Sequence, residues 1–268
     1  MYYLGICAII KNETPFLAEW VAYYMHLGVE AFYLYDNQSE EPIKETLRNF
    51  ARSREKILLK VFDVPGKAMQ MPVYNHCVEQ NQNTCRWIAF VDLDEFIVPK
   101  LHETLPSLLE EFESHAGLSL HWKLFGSNGH KLRPAGLQIE NYTKTMPDDF
   151  PVNQHVKSIV NPRSVKFFFN PHMCCLLKSD EHVVTEDHAP IAIATRPNPS
   201  WEKGQINHYY FRSRQDYALK MRSPRADIFG ARVIPENLAP PEGDITDTCA
   251  VRFASGVKTI LDRTAAES

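Results

Sequence analysis

The chain predicts an α/β fold, a mostly parallel central sheet flanked by helices, with a smaller mixed part in its C-terminal half. Three observations lead there. Near-continuous apolar runs of strand length recur in the first hundred or so residues, as expected of parallel strands buried on both faces. Between them lie segments whose apolar residues repeat at helical spacing, and strands and helices in alternation build βαβ crossovers. Polar clusters close three of the runs, at Lys11-Asn12-Glu13, Asp36-Asn37 and Asp92-Leu93-Asp94. In parallel sheets, ligands sit beyond the carboxyl ends of the strands, so the three clusters are expected to converge.

The first strand is expected over 2–10, where Lys11-Asn12-Glu13 breaks the run. Thr14 reads as the N-cap of a helix and Pro15 as its first residue, a position that needs no N–H. Phe16, Leu17, Trp20, Val21, Tyr24 and Leu27 carry the helical repeat until Gly28 stops it. A strand over 31–35 ends in Asp36-Asn37-Gln38-Ser39, a turn sequence. A helix over 42–53, a strand over 56–64, a helix over 72–82 and a strand over 86–91 complete the series. Beyond Pro99 the pattern changes. Residues 105–115 read as a helix, and 118–124, 164–169 and 173–177 as strands. The proline-rich 190–199 reads as a loop, 209–221 as a helix or a strand followed by a helix, and 231–248 as loop or tail. The division is a domain over 1–230, with halves 1–100 and 101–230, and an extension over 231–268.

Composition narrows the function. Hydrophobic residues make up 44% of the 268, which argues against disorder. A net charge of −4 gives no support for a nucleic-acid partner. The N-terminus has no basic region and too short an apolar run for a signal peptide, and no run approaches the roughly 18 residues of a membrane span. The six cysteines form no C-x-x-C pair, which favours free thiols in a reducing cytosol. Without a secretory signal, the sequons at Asn12, Asn37 and Asn141 carry little weight.

The run W-I-A-F-V-D-L-D-E-F-I-V-P, from Trp87 to Pro99, places Asp92, Asp94 and Glu95 inside an apolar stretch. An unpaired buried carboxylate is very costly, so something must compensate. In an extended strand, Asp92 and Asp94 share a face, roughly 6.5 to 7 Å apart. At a strand end, such a pair can hold Mg²⁺ or Mn²⁺ together with substrate phosphates. The plainer alternative is a turn whose acids pair with nearby Lys or Arg.

V-D-L-D-E-F, with C-A-I-I-K-N-E-T-P-F-L-A-E-W-V-A-Y-Y-M-H-L-G-V-E and Y-L-Y-D-N-Q-S-E-E, resembles the GT-A (Rossmann-like) glycosyltransferases, and within them family 92 and its relatives in the family 2 clan. The likeness continues in W-K-L-F-G-S-N-G-H, K-S-I-V-N-P, Asn170-Pro171-His172 and I-N-H-Y-Y-F-R-S, over about residues 3–222. It implies a metal-dependent transfer of sugar from a nucleotide-sugar, UDP-sugar first, to a glycan or glycolipid hydroxyl, with inversion. It further implies that Asn12 and Glu13 lie near the nucleotide, that Asp36 lies near the base or ribose, and that Lys67, Gln70 and Asn75 line the donor pocket. Asp92 and Asp94 would carry Mn²⁺ or Mg²⁺, Asp94 more directly, with His208 as third ligand and His172 as second choice. Cytoplasmic work at the inner face of a membrane, with a peripheral membrane contact, is the setting it suggests.

Positive charge builds at the anomeric carbon during transfer and negative charge on the diphosphate. A metal at Asp94 would stabilise that leaving group, aided by Arg212 or Lys220. The acceptor hydroxyl needs a base, for which Glu140 is the first candidate. Asp180, Glu181, Glu186 and Asp187 around His182 and His188 read as a second metal site or a charged loop. The glycines of Gly126-Ser127-Asn128-Gly129 permit close approach of a ligand or a tight turn. Two rival classes remain. A nucleotidyltransferase usually carries an early Gly-rich basic loop, which K-N-E-T-P lacks. A non-catalytic carbohydrate-binding module would have no need of Asp92 and Asp94.

Overall fold

A computed structural model describes residues 1–52, 57–223 and 240–266. The first half alternates as expected: β1 (Tyr2–Ile10), α1 (Thr14–His26), β2 (Ala31–Asp36), α2 (Ile43–Arg52), β3 (Leu58–Asp63), α3 (Gln70–Asn81) and β4 (Cys85–Phe90). Next come β5 (Glu95–Pro99), α4 (Leu105–Leu109), β6 (Gly117–Leu124), α5 (Gln138–Asn141) and β7 (Lys144–Thr145). Then follow β8 (Val156–Val160), β9 (Val165–Phe168), β10 (Cys174–Leu176), β11 (Val183–Thr185), β12 (Pro190–Ile191) and β13 (Gly204–His208). The chain closes with α6 (Arg214–Arg222), β14 (Ile245–Thr246) and α7 (Ala254–Ala266).

The main sheet runs β12-β11-β6-β8-β4-β1-β2-β3. β3, β2, β1 and β4 are parallel neighbours, and β8 lies antiparallel between β4 and β6. β5 and β13 pair antiparallel, and β13 joins β6 in parallel. The result is mixed α/β with a parallel N-terminal core. One apolar cluster, with Trp20, Tyr24, Phe96 and Phe253, packs α1, α4 and α7 on one side of the sheet. The other, with Tyr74, Phe90 and Phe168, packs α3 and the β9–β10 ribbon on the other.

Several details differ from expectation. The α1 cap position is Glu13, whose side chain makes no capping bond, and the Thr14 hydroxyl donates to Glu41 O instead. Gly28, at φ 89°, ends the helix in the left-handed region that glycine reaches without strain. The expected 105–115 helix is short, ending at Leu109 and followed by a 3₁₀ turn over Glu110–Phe112. β8 was not expected, and neither was α7. Of the expected tail over 231–248, residues 231–239 lie outside the described residues, while Ile245–Thr246 pairs with β7. Residues 53–56, at the edges of the expected second helix and third strand, also lie outside them.

α1 fixes the strand that follows the acidic cluster. Tyr23 Oη donates to Ile97 O at 2.9 Å, and Tyr24 Oη donates to Glu95 O at 3.0 Å. Each buried phenol thereby gains the partner that burial demands. α7 closes over the same helix. Phe253 meets Tyr23 and His26 edge-on, and Gly256 lies so near the His26 ring that an added Cβ would fall 2.1 Å from it. No described helix is long and apolar enough to cross a membrane.

Candidate functional site

Between β4 and β5 the chain turns, with Glu95 N–H donating to Asp92 O at 3.1 Å and Asp92 N–H donating to Glu95 Oε2 at 2.9 Å. The expectation of an extended D-x-D with both acids on one face is therefore corrected. The turn gives Asp92 and Asp94 separate partners. Asp92 meets the Lys157 ammonium at 3.0 Å and accepts from Gln70 Nε2 at 2.9 Å. Lys157, 1% exposed, also lies 3.4 Å from Glu95, which is 0% exposed. Burial would lower the lysine, but Asp92 and Glu95 hold it well above its ordinary range. Burial pushes the Glu95 carboxyl up to about 8. Lys157 is thus much of the compensation that three acids in an apolar run require.

Asp94 pairs with Lys220 of α6 and faces His208 Nε2 at 3.5 Å. Burial opposes its charge, but Lys220, His208 and Arg212 outweigh it and hold the carboxyl well below the usual range. Burial lowers His208, against the pull of Asp94, and favours the neutral ring. His208 Nδ1 is buried without a hydrogen-bond partner among the described residues. The ring packs 4.2 Å from Trp122, which also meets His172 at 5.1 Å. His172 Nδ1–H donates to Val156 O at 2.7 Å, and burial brings this ring down to about 3.

Arg212 reaches in from the loop before α6, where its backbone takes φ 50°. Its Nε donates to Gln138 Oε1 at 2.7 Å, Nη2 donates to Leu93 O at 3.1 Å, and Nη1 pairs with Glu13. The guanidinium lies 3.5 Å from the Phe16 ring centre. Behind it, Glu19 accepts the N–H of Gln138 and of Ile139 at 2.8 and 3.2 Å, holding the start of α5.

Asp92, Asp94, Lys157, His208, Arg212 and Lys220 line one cavity of about 590 Å³ at the carboxyl ends of β1 and β4. Of the expected site residues, Asn12, Glu13, Gln70, Asp92, Asp94, His208 and Arg212 stand on its wall. Asn12, at φ 57°, accepts Glu40 N–H on Oδ1 at 2.9 Å and ties the first two strand-end loops together. Asp36, Asn75 and Glu140 are bonded elsewhere. Asp36 accepts the N–H of Ser39 and of Ile43 at 2.9 and 3.3 Å, at the entry to α2. Asn75 bonds both backbone groups of Phe168, joining α3 to β9. Lys67 is not on the cavity wall, and Glu140 pairs with Lys258 at 2.6 Å, away from it.

Arg133 joins the wall unforeseen, holding Asp216 at 2.7 Å, and no motif announced it. Lys157 sits in the apolar V-K-S-I-V, where a lysine is itself a signal of a buried anion. The second acidic cluster dissolves into structure. Glu186 accepts the N–H of Glu202, Lys203 and Gly204, while Asp187 pairs with Arg196. The Gly126–Gly129 loop is approached by the chain's own C-terminal segment. Ser127 Oγ donates to Glu242 Oε1 at 2.6 Å, and a Cβ on Gly126 would meet Gly243 N at 2.5 Å.

The profile of glycosyltransferase family 92 matches residues 2–222. A family 92 protein of Ricinus communis is 30% identical over 164 residues, 60% of this chain and 29% of that protein. One of Arabidopsis thaliana is 31% identical over 139 residues, 50% of this chain and 24% of that protein. The chain thus spans less than a third of the length of these relatives. Among solved structures, S. aureus TarS 1–349 is similar at a TM-score of 0.41 and 16% identity, over 82% of this chain and 63% of that one. With the profile covering most of its length, the chain belongs to glycosyltransferase family 92.

Proposed function

We propose that the cavity takes a nucleotide-sugar donor, a UDP-sugar first, on a GT-A scaffold of the family 2 clan. The sugar passes with inversion to a hydroxyl of a glycan or glycolipid. The observation that carries this reading is the meeting of Asp94 and His208 beside Lys220 and Arg212 in one cavity beyond the strand ends.

The residues fit Mn²⁺ or Mg²⁺. An ionised carboxylate and a neutral imidazole nitrogen face each other, and imidazole suits Mn²⁺ better than Mg²⁺. Among the described residues no group of three or more His, Cys, Asp or Glu side chains gathers to hold a metal alone. Asp94 and His208 would therefore share it with water and donor phosphates, the usual arrangement for these ions. When bound, it would supply positive charge to the departing diphosphate.

The chain's own groups do the rest. Lys220 neutralises Asp94 and has a flexible stem that can turn to a phosphate. Arg212, fixed by three hydrogen-bonding partners and Phe16, presents a charge that needs no reorganisation. Gln70 and Lys157 orient Asp92 at the edge of the donor space. The test is thermal stability with UDP, GDP or CMP, with and without Mn²⁺, on the parent chain and Asp94→Ala. A ligand bound only by the folded state raises the melting temperature. A shift with one nucleotide, enlarged by Mn²⁺ in the parent but not in Asp94→Ala, is the expected result. No shift with any nucleotide overturns the reading.

A further inference from the structure

A second cavity, of about 580 Å³, shares no wall residue with the first. β6 stands between them. Trp122 contributes to the first and the next residue, Lys123, to the second, as strand alternation requires. The volume is that of an ordinary ligand pocket, about 300–1,000 Å³.

Its central feature is Trp201, half-buried, in the loop that leads into β13. The indole N–H donates to Trp122 O at 3.1 Å and so fixes the ring. The Lys123 ammonium lies 4.7 Å from the ring centre. It is 11% exposed, and its two carboxylate neighbours, Asp148 and Asp247, stand at 3.4 and 3.5 Å. The Lys123 ammonium is thus held between two carboxylates and the indole, and a ligand hydroxyl can join this set at the cavity wall. Asp148, 64% exposed, and Asp149 stand on the same wall with carboxylate oxygens to offer.

The chemistry of this wall selects its ligand. Two ammonium groups, Lys100 and Lys123, face three carboxylates, Asp148, Asp149 and Glu202. Donors and acceptors are mixed and the charge nearly cancels. A phosphate would meet the carboxylates, and a lipid chain would desolvate ion pairs. A sugar hydroxyl both donates and accepts, and the C–H face of a pyranose packs on an indole ring. We propose that this cavity binds a run of neutral sugar units, the part of the glycan acceptor remote from the transferred sugar. Its assignment to the acceptor rests on the transferase reading; the binding itself does not.

The experiment is a tryptophan-fluorescence titration of the full chain with neutral hexasaccharides of glucose, galactose, mannose and N-acetylglucosamine, and with a heparin hexasaccharide as the anionic control. At least one neutral hexasaccharide should perturb the emission. Measured by calorimetry, which does not depend on the deleted indole, its affinity should fall about ten-fold or more in Trp201→Ala. Asp148→Asn, on an exposed side chain, gives a smaller loss should Trp201→Ala fold poorly. Asp94→Ala should bind as the parent does. Binding of none of the neutral sugars, binding of heparin alone, or binding indifferent to both variants overturns the proposal. The UDP and Mn²⁺ melting shifts, run in parallel, separate the two readings. Sugar binding without any nucleotide shift supports the cavity and sinks the transferase. A nucleotide shift without sugar binding does the reverse.

Discussion

The family match ends at residue 222, yet the hydrophobic core does not. Phe253 is 1% exposed and packs against Tyr23 and His26 of α1, with the Arg252 guanidinium 4.5 Å from its ring. Tyr23 in turn holds β5 through Ile97 O, next to the acidic turn. Truncating a buried phenylalanine to alanine costs about 3–5 kcal/mol, part transfer and part cavity. Phe253→Ala should therefore lose about 4 kcal/mol, a large share of the roughly 5–15 kcal/mol that holds a domain together. With a urea slope of about 3 kcal/mol per molar, the midpoint should fall by about 1–1.5 M. Urea unfolding followed by both fluorescence and far-ultraviolet circular dichroism is the assay, and both probes should move together. A midpoint within about 0.3 M of the parent, roughly 1 kcal/mol, would refute the claim that the turn over Val251–Phe253, which leads into α7, is part of the core. So would a change seen by one probe alone, since this turn and α7 would then melt as an appendage.

Three further outcomes follow from buried charges. Burial raises the Glu19 carboxyl to about 7, against the pull of the Gln138 and Ile139 N–H groups. The folded chain then holds a proton that the unfolded chain releases, so stability falls as pH rises from about 4.3 to 7, by on the order of 3 kcal/mol. Glu19→Gln should remove that slope in denaturation profiles measured across the window. Lys157→Met leaves Asp92 without its cation and should cost about 2–4 kcal/mol. Adding Asp92→Asn should recover at least about 1 kcal/mol in a double-mutant cycle, and strict additivity would speak against the pair. Arg212→Lys can keep only part of the bonds to Gln138, Glu13 and Leu93. It should cost about 1–3 kcal/mol and at least halve the nucleotide-dependent melting shift, because a lysine cannot reproduce a stacked, forked guanidinium.

The parallel half was legible because strands buried on both faces must be apolar throughout, and the helices between them carry their own period. What hid the rest was polarity explained only by distant contacts. β8 reads V-K-S-I-V, and its lysine and serine argue for a surface loop until Lys157 meets Asp92 and Ser158 meets Ser119. α7 was masked by Gly256, a poor helix residue that is required where the helix meets the His26 ring. At the site, D-x-D stood out because acids in an apolar run demand compensation. Asp36, Asn75 and Glu140 looked equally suitable by residue type. Strand ends also need polar groups to cap helices and tie loops, and sequence does not tell the two duties apart. The compensating Lys157 and Lys220 lie 65 and 126 residues from their partners, and no spacing rule reaches that far.

That compensation has a functional consequence. Lys220 satisfies Asp94, so under the proposed function a diphosphate bound by Lys220 would have to draw the lysine away and leave a buried carboxylate short of charge. A divalent cation held by Asp94 and His208 would remove that cost and release Lys220 to the phosphate. Cation and nucleotide should therefore strengthen each other, reciprocally, by a coupling of about 1–3 kcal/mol, or roughly 5–150-fold in affinity. Asp94→Asn abolishes the competition along with the cation's anchor. Calorimetric titration of UDP with and without Mn²⁺ should show strong coupling in the parent and little in Asp94→Asn. The variant's Mn²⁺-free affinity for UDP should match or exceed the parent's. A parent whose UDP affinity ignores Mn²⁺, or a variant that loses Mn²⁺-free UDP binding, would mean that Lys220 serves Asp94 alone and the diphosphate is held elsewhere.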